Sequence, residues 1–228
     1  MFHPADHPME RGWVGRIEGE RVVHLAAQTL QSFFTGGGSA REHAEYALAE
    51  VCLLAPVLHP PAVRIFDAQT SFEFANPAAI VGPGARIGQS EAAGTRLTLL
   101  SRVAGVIGPD GALAGFAAFA DWRAPDLPVP KDRDFALGLG PAVVTSDEIE
   151  PDGLVASVRV DGLECAAGVF GGFDWSAACD FAAERTRLYP GDLIAGPNLV
   201  PLERISPGGA VEIDIAGVGV LEQVVVGG

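Results

Sequence analysis

Beyond Pro56 the chain is cut into short apolar runs by glycine and proline, and this punctuation constrains the fold more than any other feature. The runs are Val63–Phe66, Ala78–Val81, Leu97–Ile107, Leu113–Phe119, Phe135–Val144, Val155–Val160 and Val211–Val226, separated by turn sequences such as Pro109-Asp110-Gly111 and Asp161-Gly162. Runs of this length between turn formers predict β-strands. A parallel βαβ array needs a helix between nearly every pair of strands, and the spacing leaves no room for them. One helix does interrupt the strands: Asp174 is a good N-cap, Ala177, Ala178, Phe181 and Ala182 recur at helical spacing, and Pro190-Gly191 bounds a helix over 175–188. With 48% hydrophobic and 19% charged residues in 228, one large domain with a sizeable core is expected. The fold class expected is mainly β (α+β).

The start of the chain has a different texture. Residues 1–12 are rich in proline and histidine and read as a flexible N-terminus. His3 and His7 have a metal-like spacing, but Pro4 and Pro8 argue against one helix face presenting both. Trp13–Ile17 and Arg21–Leu25 flank Glu18-Gly19-Glu20 as a hairpin. Gly36-Gly37-Gly38 is a break; no Lys-Ser/Thr follows, so it is not a phosphate loop. Ser39 is placed to cap a helix through about Val51, with Ala44, Ala47, Leu48 and Val51 on its apolar face. These features divide the chain into 1–12, a small N-terminal module over 13–55 and a main domain over 56–228.

Charge and cysteine content narrow the function. A formal charge of −14 with 15 scattered basic residues disfavours the phosphate backbone, so no nucleic acid partner is expected. The three cysteines, Cys52, Cys165 and Cys179, form no C-x-x-C and read as reduced thiols. No apolar run reaches the ~18 to 20 residues that span a bilayer, and the first residues lack the basic and apolar regions of a signal peptide. A cytoplasmic protein is expected, with no membrane partner. No G-x-S-x-G occurs, and no Ser or Cys has an identifiable His partner.

Several segments, in order, resemble the fumarylacetoacetate hydrolase family. Trp13–Leu25 is similar to its N-terminal "eGdrVvdL" hairpin, and Leu53–Val57 with Pro60–Ile65 to its "LLpPv–P–kIi" entry into the main domain. Phe74–Ile87 matches "F-x-K-P-x-x-x-x-G-x-x-I". Gly115–Asp126 aligns without gaps on "GYTVANDVTARD", Lys131–Pro141 on "KGFDTFCPLGP" and Val144–Ile149 on "VTxDEI". Tyr189–Ile194 resembles "L-x-PGDVI" and Val211–Val226 the closing "VEVEIEGIGxLxNxV". Their order and spacing cover nearly the whole chain. The resemblance implies a mixed β-roll/barrel with a few short helices, usually dimeric, acting on a small 2-oxo or β-dicarbonyl acid.

The resemblance also implies a site, and the chain departs from it. Family members hold Mg²⁺ or Mn²⁺ with three carboxylates, two from an E-x-E and one from the "NDV" aspartate. The cation stabilises an enolate as a C–C bond breaks or a proton moves. Here the third ligand survives as Asp121, while Leu100 and Arg102 stand where the two glutamates would be. Arg102 reads either as a salt-bridging residue or as a metal substitute that pairs with Asp121 or grips a substrate carboxylate. The lid that carries the family's His and Glu is cut short between Ile65 and Phe74, the lysine of "F-x-K-P" is missing, and Pro125 replaces an arginine. His43 lies on the wrong side of Leu53–Val57 to stand in for the lid histidine. Asp67 and Glu73 are the carboxylates near the shortened lid; each reads more simply as a solvated loop residue. Lys131 aligns with the family's active-site lysine and is otherwise a loop lysine in a charged run. Gly196-Pro197 is a vestige of the "GTP" turn.

Three functions follow. In the first, Asp121, Lys131 and Arg102 act without metal in C–C hydrolysis, decarboxylation or tautomerisation, with Arg102, Lys131 and Gly196 against the substrate. Mg²⁺ or Mn²⁺ enters only if the site has been rebuilt, with Asp121 as sole surviving ligand. In the second, the chain is a non-catalytic partner of a metal-competent paralogue. The third is a ligand-binding module without turnover. A homodimer is expected from the family habit.

Overall fold

The first residues of the chain are already structured. In the computed structural model, which describes residues 1–88, 97–199, 201–205 and 208–227, β1 (Phe2–Pro4) buries Phe2 to 1% exposure. Residues 1–12 are therefore not loose throughout: Phe2 packs edge-on against Trp13 and Tyr46, because a large aromatic so near the start gains more by burial than it loses in chain entropy. β2 (Gly15–Glu18) and β3 (Arg21–Leu25) form the expected hairpin. α1 (Leu30–Thr35) follows, and then β4 (Glu42–Ala47) and β5 (Val51–Leu53), joined by a 3₁₀ turn at Leu48–Glu50. The helix expected over 39–51 does not form. That segment instead completes a three-stranded sheet with β3, tied by Arg16–Glu42 at 2.8 Å and Arg21–Glu45 at 2.6 Å, and then β5 pairs with β1. Cross-strand pairing overrides a helical spacing carried mostly by alanines.

The main body holds two sheets. Its strands are β6 (Val63–Ala68), β7 (Ser71–Ala75), β8 (Ile80–Val81), β9 (Ala85–Gly88), β10 (Leu97–Ile107), β11 (Leu113–Arg123) and β12 (Leu137–Thr145). β13 (Val155–Val160), β14 (Leu163–Val169), α2 (Trp175–Ala183), β15 (Leu193–Ala195), β16 (Pro201–Ile205), β17 (Ala210–Ile215) and β18 (Gly219–Val226) complete it. The larger, mixed sheet runs β7-β6-β15-β10-β11-β12-β8, with β16 also beside β10; the smaller runs β14-β13-β17-β18-β9. This is the mainly β architecture expected from the strand punctuation. α2 ends at Ala183, short of Leu188, where Arg185 takes φ +59°.

Two cores set where a site can sit. Between the sheets, Leu97, Leu99, Val103 and Ile107 of β10 meet Ile213 and Ile215 of β17 and Leu221 and Val225 of β18, with Ala178 and Ala182 of α2 closing the layer. On the opposite face of the large sheet, Val63, Ile65, Ala104, Phe119, Leu137 and Leu193 pack under Phe34 of α1 and Val57. Because β10 and β11 are buried on both faces, they read as continuous apolar runs rather than alternating ones. Charged residues that break those runs therefore stand out.

Candidate functional site

The antiparallel register of β10 and β11 brings the site together. Leu100 lies opposite Asp121, and Arg102 lies opposite Phe119. Arg102 is thus the diagonal neighbour of Asp121 on one sheet face, within reach of a long side chain. Arg123, two residues beyond Asp121, shares that face. The apolar core of this face gives way to charge at its end: Ala104 is followed by Arg102, and Phe119 by Asp121 and Arg123.

Arg102 and Asp121 are both wholly buried. Arg102 Nε donates to Asp121 Oδ2 at 3.1 Å, while its Nη1 donates to the carbonyls of Phe66 at 3.2 Å and Gly196 at 3.1 Å. Nη1 also lies 2.8 Å from Asp67 Oδ1. Nη2 is 3.1 Å from Asp121 Oδ2, an ion-pair contact without hydrogen-bond geometry. Arg123 forks onto the same carboxylate, Nε to Oδ1 at 2.6 Å and Nη2 to Oδ2 at 2.8 Å. Bidentate, charge-assisted bonds of this kind are the strong ones. They offset the desolvation that a buried aspartate would otherwise suffer.

A second tier lies nearer the surface. Glu73 of β7 pairs with Arg133 and approaches Arg123 Nη1 at 3.9 Å. Arg133 also bonds Asp132 at 3.0 Å, and the carboxylates of Asp132 and then Glu73 push its guanidinium further up from an already high value. Beside the site a hollow of about 110 Å³ is lined by Phe170, Phe173, Trp175, Pro197 and Asn198.

Of the residues singled out from sequence, Arg102, Asp121 and Gly196 meet directly. Arg102 does pair with Asp121, a contact that both of its readings allow. Lys131 stands apart: its side chain is 70% exposed and its Nζ bonds Asp134 at 2.8 Å. Its loop nonetheless lies against the site strand, since the amide of Ala124 donates to Asp132. Asp67 and Glu73, read as solvated, are exposed but committed to arginines. His43 stands on β4, its ring 5.1 Å from that of His24. His3 bonds the Pro4 carbonyl and His7 is exposed. Arg123 and Arg133 were not anticipated. The alternation Asp121-Trp122-Arg123 on a strand is the signal that marks Arg123, whereas Arg133 is brought in only by the fold of its loop.

Among the described residues, those around Asp121 do not fit a divalent cation. Leu100 offers no ligand, Arg102 brings positive charge to where the cation would sit, and both oxygens of Asp121 already accept N–H bonds. Among the described residues no group of three or more His, Cys, Asp or Glu gathers to hold a metal. No helix among them is long and apolar enough to cross a membrane.

No protein-family model matches the chain, and no curated protein matches it by sequence. Solved structures do match. Maleylpyruvate hydrolase from Sphingobium sp. SYK-6 superposes with a TM-score of 0.79 at 21% identity, over 96% of this chain and 98% of that one. 5-Carboxymethyl-2-hydroxymuconate delta-isomerase from Mycobacterium smegmatis gives 0.75 at 20% identity, over 100% and 98%. A 2-keto-3-deoxy-D-arabinonate dehydratase, solved with magnesium and 2,5-dioxopentanoate, gives 0.77 at 18% identity, over 94% of each chain. Likeness at such identities is a likeness of fold, extending over nearly the whole length of these enzymes. The chain has the fold of the fumarylacetoacetate hydrolase superfamily.

Proposed function

We propose that the chain binds a small 2-oxo or β-dicarbonyl acid through guanidinium groups, without a metal and without turning it over. The observation that carries this reading is Arg102, wholly buried and bonded to Asp121 at the head of the sheet face. A fixed guanidinium next to Arg123 recognises a carboxylate by charge and by planar geometry, which is what a cation would otherwise supply. Arg123, 13% exposed, is the group an incoming acid meets. The small-acid class draws on the fold, shared with a hydrolase, an isomerase and a dehydratase of such compounds. Turnover is left out because Asp121 already accepts from three N–H groups. To take a substrate proton it would have to release both arginines. Lys131, held by Asp134, is not positioned by any contact with Arg102 or Asp121.

The test is thermal unfolding with oxalate, Mn²⁺ and Mg²⁺. Oxalate at ~100 times its dissociation constant adds about 2.7 kcal/mol, a rise of several degrees for a domain this size. Neither metal is expected to raise the midpoint, and Arg123→Ala should abolish the oxalate effect. A metal-dependent rise lost in Asp121→Ala would overturn the reading and return the chain to metal-assisted enolate chemistry.

A second reading, the non-catalytic subunit, draws on β14. Leu163 and Val169 are 73% and 62% exposed on this edge strand, apolar surface that a second copy or a metal-competent paralogue would cover. Absence of any oxalate response, with an assembly larger than one chain in solution, favours it.

A further inference from the structure

The arginine centre is closed from outside by the chain's own carboxylates, and their placement is specific. The hairpin of β6 and β7 is the shortened lid. Its register shifts between Phe66 and Ala68, which leaves Asp67 as the extra residue of a bulge. A bulge re-aims a side chain, and here the side chain it aims is the one that reaches Arg102. Glu73 lies opposite Ile65, on the same face, and reaches Arg133 and Arg123. At the hairpin tip Gln69 reads the backbone of Asp174 twice: its Nε2 donates to the carbonyl at 2.7 Å and its Oε1 accepts from the amide at 3.0 Å. Asp174 is the N-cap of α2, accepting from Ala177. The tip is thereby latched to the start of a helix.

We propose that Asp67 and Glu73 are built-in competitors, and that a small acid reaches Arg102 and Arg123 only as these two carboxylates leave. The inference rests on the acid-binding reading above and concerns the regulation of that site. Burial separates the carboxylates into two kinds. Asp121 is 0% exposed and stays, whereas the side chains of Asp67 and Glu73 are 68% and 56% exposed. Water and salt screen such outer pairs, so an incoming carboxylate exchanges with them readily. The motion is confined to the tip and the Glu73 side chain. Just below the bulge the hairpin is fastened by the facing pair Phe66 and Phe72, whose rings lie 6.4 and 5.9 Å from that of Phe181 on α2. Opening therefore requires the two Gln69 bonds to break together with the outer ion pairs of Asp67 and Glu73.

The experiment is calorimetric titration of oxalate, in metal-free buffer, into the wild-type chain and three variants. Asp67→Asn/Glu73→Gln removes the competitors, and Gln69→Ala releases the latch without changing charge. Glu10→Gln/Glu150→Gln makes the same charge change at exposed positions away from the hairpin. The first variant should bind about tenfold tighter, the factor by which a strap closed about nine-tenths of the time masks a site. Gln69→Ala should move the same way, and the control should match wild type. Hydrogen exchange of the amides at 67–71 should quicken when oxalate binds, the reverse of ordinary ligand protection. Measurable binding that is equal in wild type, the Asp67/Glu73 variant and Gln69→Ala overturns the competitor proposal and leaves the acid-binding reading standing. Absence of binding in every variant overturns the acid-binding reading, and the competitor proposal with it.

Discussion

Arg102 is the residue whose substitution says most. In Arg102→Met the buried Asp121 keeps Arg123 but loses its other partner, and the carbonyls of Phe66 and Gly196 lose a donor. Breaking a buried charge pair from one side costs about 3–5 kcal/mol, and the retained Arg123 places the expected loss at about 3 kcal/mol. Urea unfolding measures it; a loss under about 1 kcal/mol would mean that Arg102 contributes no more than a surface pair. The register makes a second prediction. Leu100→Glu/Arg102→Glu sets two carboxylates beside Asp121 on one sheet face, and Mn²⁺ should then raise the unfolding midpoint of the variant but not of the wild type. This much of the site was legible in advance through the family resemblance, which aligns Leu100, Arg102 and Asp121 with its three ligand positions, and strand alternation puts residues two apart on one face. Arg123 was legible by the same rule and was passed over, since the family pattern has a threonine there. Glu73 and Arg133 were not legible. Their meeting depends on how the 124–136 loop folds back, and no local pattern encodes that.

At the level of elements, the misread segment and the unread one are neighbours. Ala44, Ala47, Leu48 and Val51 have a helical period, yet 42–47 is a strand, because the outer edge of β3 would otherwise be left unpaired. The helix sits earlier, at Leu30–Thr35, and its signal was local. Thr29 Oγ1 accepts from the Ser32 amide and Ser32 Oγ accepts from the Thr29 amide, each at 3.0 Å, a reciprocal cap. Thr29→Ala should cost about 1 kcal/mol, because a helix of six residues has little else to hold its first turn. The loss should appear as a fall of about 2–4 °C in the unfolding midpoint. No change would mean that Phe34, packed with Val57 and Val63, holds the helix without its cap. The long strands were readable because burial on both faces writes them as apolar runs. β14, with its exposed Leu163, Cys165 and Val169, lacked that mark and was not foreseen.

For the whole molecule the question is how stability responds to acid, given a formal charge of −14. Between pH 7.5 and 5.5 few carboxylates titrate, since Asp and Glu ionise near pH 4, so the response falls to the Met1 amino group, which burial lowers from 8.0 to about 6, and among side chains to the histidines. His24 is stacked on Trp13, with ring centroids 4.7 Å apart. Burial, and then the neighbouring charge of His43, lower its pKa from 6.5. A base whose folded pKa lies below its unfolded value takes up its proton first in the unfolded chain. Its contribution is therefore fully present above pH 6.5 and is lost as the pH falls below that value. The midpoint should drop between pH 7.5 and 5.5, and His24→Gln should flatten the dependence. His43→Gln should flatten it less, because it removes the smaller of the two causes. A midpoint that rises on acidification in the wild type would show instead that relief of the molecule's negative charge outweighs the burial of His24, and would place acid stability with the surface as a whole.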